Sequence, residues 1–126
     1  GDRIMLLNLV TWLFNGKVLK PDVVVKMVVN YSSIDPIIEL WCKDNGLHLY
    51  RLNQDVQIRS VILNSRNQTK CQIWVDKPDA DGNSFVHVWD YSTKKLDIPT
   101  SDVDLRRSLD NALEVATKWL GDGHSL

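Results

Sequence analysis

Residues 71–91 read CQIWVDKPDADGNSFVHVWDY. Two runs rich in β-branched and aromatic residues, 71–76 and 85–91, enclose a segment at 77–84 that is dense in turn formers. Each turn former has a mechanism. Pro78 fixes φ, Gly82 permits positive φ, and Asp79 can bond its own backbone. The stretch is read as an antiparallel β-hairpin.

Downstream, Pro99, Thr100 and Ser101 lead into a long amphipathic helix. Ser101 is expected to cap it, with Asp104 three residues later in capping-box position. Leu105, Leu109, Ala112, Leu113, Ala116 and Leu120 fall on one stripe, and Arg106, Arg107, Asp110, Glu114 and Lys118 lie off it. Glu114 precedes Lys118 in the favourable i,i+4 order. Gly121 is expected to end the helix. Residues 90–104 between hairpin and helix read as a loop, apart from the strand end at 90–91.

Upstream, 56–63 reads as a further strand and 64–70 as a polar turn, so the sheet looks like a meander. Residues 34–45 admit two readings. Asp35-Pro36 starts a helix well and Asn45-Gly46 ends one. The same residues can form a hairpin, 37–43 with 47–52, closed by Asn45-Gly46. Isoleucine and tryptophan suit strands, and alternation through 47–52 continues the pattern, so the extended reading is preferred. Lys20-Pro21-Asp22 marks a turn before 23–31, a strand rich in β-branched residues and apolar on both faces, as a central strand is. Residues 3–15 read as a helix that is apolar nearly all round.

Together these elements imply an α+β fold over residues 1–126, a single domain. A meander-like antiparallel sheet of about five or six strands carries N-terminal and C-terminal helices. Hydrophobic residues make up 44% of the chain and charged residues 25%, ordinary values for a folded domain. No apolar run reaches the roughly 20 residues of a membrane span. The run at 4–14 contains Asn8 and Thr11, and no small-residue cleavage site follows it, so it is not read as a signal peptide. Cys42 and Cys71 are too few for a disulfide framework and read as buried free thiols, which favours a cytoplasmic location.

No motif speaks for catalysis. There is no glycine-rich phosphate loop, nucleophile elbow or zinc-helix spacing among His48, His87 and His124. Neither cysteine has an activating neighbour in sequence. His87 lies near Asp90, but on a strand these two positions point to opposite faces, and packing against Trp89 is the plainer expectation. Residues 79–83 begin like a calcium loop, yet loop positions six and twelve hold Ser84 and Asp90 instead of glycine and glutamate. Neither a metal nor a cofactor is expected. The patterns at Asn30 and Asn67 that match a glycosylation acceptor read as chance matches.

Charge is more informative. Residues 1–70 hold nine Lys/Arg and six Asp/Glu, a net of +3, whereas 71–126 hold six and ten, a net of −4. The overall −1 excludes a basic nucleic-acid binder. Seven aspartates against three lysines in 76–104 make that region electronegative, a surface that steers basic partners. The bland account is that these carboxylates only solvate loops and serve the helix dipole. Of five tryptophans, most should be core, with Trp41 and Trp74 flanking the sheet, and Trp12 or Trp74 would suit an interface hot spot.

Residues 73–76 with the acidic turn, residues 86–91 and the closing helix at 109–120 resemble small bacterial immunity proteins. Those proteins neutralise polymorphic or contact-dependent growth-inhibition toxins. The resemblance lies in architecture and covers roughly the last 50 residues. It implies a non-catalytic protein, not an enzyme, that binds a cognate toxin domain such as a nuclease, with no nucleic-acid or membrane partner and a monomer favoured. The partner-binding residues expected are Trp74, Asp76, Asp79, Asp81 and Asp90. Two alternatives stay open: a secretion-type chaperone, and a small enzyme using His48 or His87 with a carboxylate.

Overall fold

In a computed structural model, residues 30–124 are described. The helix expected over 3–15, the strand expected over 23–31 up to residue 29, and Trp12 lie outside them. The described chain runs α1 (Asp35–Asn45), β1 (Tyr50–Asn53), β2 (Val56–Asn64), β3 (Lys70–Val75), β4 (Asn83–Trp89), β5 (Lys95–Ser101) and α2 (Leu105–His124). The strands form one antiparallel sheet in the order β1-β2-β3-β4-β5, a meander. This is the expected α+β class, with two helices packed on the sheet.

Residues 34–45 are helical, against the extended reading. Ile34, Ile38, Trp41 and Cys42 are all buried, and their i, i+4, i+7, i+8 spacing makes one helical stripe. Pro36 sits in the first turn, where its missing N–H costs nothing. Asn45-Gly46 stops the helix instead of closing a hairpin. Gly46 is left-handed (φ 65°), and Leu47 N–H donates to the Cys42 carbonyl at 2.8 Å. Trp41 is therefore core in α1 and does not flank the sheet.

The loop at 90–104 holds β5, which sequence reading missed. Leu96, Ile98 and Thr100 alternate inward, and Pro99 is tolerated because β5 is an edge strand of the described sheet. Asp90 closes the turn between β4 and β5: its carboxylate accepts the backbone N–H groups of Ser92 (2.8 Å) and Lys94 (3.0 Å).

Ser101 does not cap α2 as expected but ends β5: the Asp104 carbonyl accepts the first intrahelical bond, from Ser108 N–H at 3.0 Å, so Asp104 stands at the N-cap, and the Ser101 hydroxyl, 3.4 Å from the Asp104 amide and carboxylate, holds the turn before it. Leu105, Leu109, Ala112, Ala116 and Leu120 form its buried stripe. The helix does not end at Gly121 but continues to His124; Gly121 carries no positive φ, so it provides no left-handed stop.

The core lies between both helices and one sheet face, where Val61, Cys71, Ile73, Val75, Val86 and Val88 meet the α2 stripe and α1. Cys42 and Cys71 are buried and free, as expected, and burial pushes both thiols above their ordinary pKa. No helix among the described residues is long and apolar enough to cross a membrane.

Candidate functional site

Side chains alternate across a strand, so burying Ile73 and Val88 beneath α2 turns Trp74 and His87 to the other side. Register then aligns rows on that second face. Ser60, Trp74, His87 and Asp97 lie in register across β2 to β5, and Ile62, Gln72, Trp89 and Lys95 form the next row. Among the described residues, no helix or strand packs on this face. Among the described residues it is an open platform.

His87 is the platform's centre. Its Nε2 is 2.7 Å from Asp76 Oδ2 and its Nδ1 is 2.6 Å from Asp97 Oδ1. The Trp74 ring stacks on the imidazole with centroids 4.8 Å apart and planes 23° from parallel. Phe85, two residues back on the same strand, stacks at 5.9 Å and 19°. The two carboxylates lie roughly half exposed, at 47% and 49%, whereas the imidazole between them is 14% exposed. The hydrogen bond to His87 holds Asp97 below the usual carboxylate pKa, with Lys95 adding to the effect. At the far end of the face, Tyr91 packs on Trp89 with centroids 4.6 Å apart.

The structure brings together two of the five expected site residues, Trp74 and Asp76, through His87. Asp79 and Asp81 sit in the β3–β4 turn at the same end of the sheet. The Asp79 carboxylate accepts the backbone N–H groups of Asp81 and Asn83, both at 2.9 Å, so it holds the turn. Asp81 is exposed at the tip. Asp90 belongs to the β4–β5 turn, about 20 Å from the β3–β4 turn along β4, and its Oδ1 holds that turn. Sequence reasoning missed Phe85 and Asp97. His87 packs against Trp74 and Phe85, not Trp89. The alternation of 95–101 could have placed Asp97 beside His87, but Pro99 hid the strand.

Both ring nitrogens of His87 are occupied by carboxylates, so neither offers a lone pair or proton to a substrate without rearrangement. The ring lies across an open sheet face. His48 meets Tyr50 edge-on, with centroids 4.5 Å apart. No group of three or more metal-binding side chains converges among the described residues.

A second polar cluster lies on the core side, where β2 passes α1. Arg59 is bidentate to Asp35, at 2.6 and 3.0 Å, and its guanidinium lies 4.4 Å from the centre of the Tyr31 ring. The Tyr31 hydroxyl donates to the Val75 carbonyl at 3.0 Å. Burial pushes the Tyr31 phenol up, with Arg59 opposing, and the hydrogen bond to Asp35 raises Arg59. This cluster clasps α1 to the sheet.

No protein-family model matches the chain, and neither a curated protein nor a solved structure matches it.

Proposed function

We propose that this chain is a non-catalytic protein-binding domain of the immunity type, which neutralises a cognate bacterial toxin in the cytoplasm by covering a basic surface of its toxic domain. The observation that carries this reading is the open sheet face, where Trp74 and Phe85 flank His87 between two half-exposed carboxylates. Aromatic anchors ringed by charge are the composition of interface hot spots. Asp81 at the neighbouring tip extends the negative potential, which favours a partner rich in lysine and arginine and speeds its approach.

The test pairs binding with protection. The chain should co-elute at equal stoichiometry with the toxin domain encoded beside it and rescue cells that express that domain. Trp74→Ala and Phe85→Ala should weaken the complex and the rescue together. Full rescue by both variants would remove this face from the proposal, and no complex at all would remove the immunity reading.

A further inference from the structure

Two half-exposed carboxylates flank one imidazole on the open face, and this inference rests on the reading of that face as a receiver of cations. A neutral imidazole carries one N–H and one bare lone pair, and only the imidazolium donates at both nitrogens. His87 has a carboxylate oxygen within 2.7 Å of each nitrogen, so the observed geometry is that of the charged ring. The near-parallel rings of Trp74 and Phe85, each within 6 Å of the imidazole, also favour a cation at this position. The charged groups around the ring among the described residues are Asp76 at the end of β3 and Asp97 and Lys95 on β5; Trp74, Phe85 and Trp89 are uncharged.

We propose that His87 is a proton-operated gate on this face: its imidazolium occupies Asp76 and Asp97, and loss of its proton frees one of them for a lysine or arginine of the partner. Two carboxylates and an imidazolium sum to one negative charge, and two carboxylates with a neutral ring to two. The neutral ring keeps one hydrogen bond and turns a lone pair toward the other carboxylate, which repels it. A partner cation then takes the imidazolium's place beside that carboxylate, and the proton goes to solvent. Binding therefore expels a proton wherever His87 is charged, and it tightens as pH rises.

A hexa-arginine peptide serves as the probe. It is titrated into isotope-labelled protein and followed by backbone amide shifts at about pH 5.5 and about pH 8. The shifts should centre on residues 74–76, 85–87 and 97, and affinity should be about two- to fivefold tighter at the higher pH, the range one exposed charge contributes. His87→Gln keeps a polar side chain but has no titrating proton, and it should bind equally at both pH values. Equal wild-type affinities, or the same pH dependence in His87→Gln, overturn the gate and leave the face as a cation receiver. Absence of shifts on this face at both pH values overturns the face reading, and the gate with it.

Discussion

Arg59 and His87 each sit between carboxylate oxygens and an aromatic ring, one on the core side of the sheet and one on its open side. The two side chains are almost equally withdrawn from water, at 8% and 14% exposure. The carboxylates differ: Asp35 is 20% exposed, whereas Asp76 and Asp97 are near half. Arg59 also donates to the Ile58 carbonyl at 2.6 Å and to Gln57 Oε1 at 2.9 Å, so its guanidinium is saturated by its own fold. Asp76 and Asp97 each engage His87 through one carboxylate oxygen and remain substantially exposed to solvent. Similar ingredients thus clasp a helix to the sheet on one face and leave half-exposed carboxylates on the other, and what separates them is the solvation left to the acids.

The largest effect that can break this comparison lies at Arg59. Arg59→Ala leaves Asp35 partly buried without its partner and should lower unfolding free energy by about 3 kcal/mol, read from urea denaturation. A loss near zero would place Arg59 with the surface pairs. At Trp74 the burden should fall on binding: Trp74→Ala should cost about 2 kcal/mol of affinity for the cognate partner, roughly thirtyfold in Kd. The same change should cost about 1 kcal/mol of stability, since a cross-strand pair is lost but no cavity opens in the core.

A change that touches neither cluster supplies the background. The β1–β2 hairpin closes on Gln54 and Asp55, both with positive φ (50° and 69°), a conformation that glycine adopts without strain. Asp55→Gly should stabilise the fold by about 1 kcal/mol and leave binding unchanged. The smallest effect concerns acid. Asp97 has a folded pKa below its ordinary value, so its contribution is present above the ordinary carboxylate pKa and fades as pH falls through the lowered one. The stability gap between wild type and Asp97→Asn should therefore close in acid; a gap that persists there would show that the loss comes from packing.

Much of this fold was legible in advance where one local period dominates. The α2 stripe and the strands at 56–63, 71–76 and 85–91 were readable because burial repeats every 3.6 or every two residues. Residues 34–45 were not, because β-favouring isoleucines and a tryptophan competed with helix punctuation, and only the packing of Ile38 and Trp41 against the core decided between them. β5 was hidden because Pro99 removes a donor that only a central strand would need. Of the expected site residues, Trp74 and Asp76 meet at His87. Asp79 and Asp90 instead bond the backbone of their own turns, a role that composition does not distinguish from that of any other surface acid.

By itself the sequence determined the hairpin at 71–91, its turn chemistry, and the helix that follows, since each depends on neighbours within a few positions. It also placed the acidic surplus in the second half of the chain. Only the tertiary structure decided that Trp74, His87 and Asp97 share one row and that Asp76 and Phe85 close around the imidazole. The contacts of His87 with Trp74, Asp76 and Asp97 span 10 to 13 residues and depend on strand register. A slip of one residue would have turned every one of these side chains into the core. Register is set by α2 burying the opposite face, a property of the packed whole.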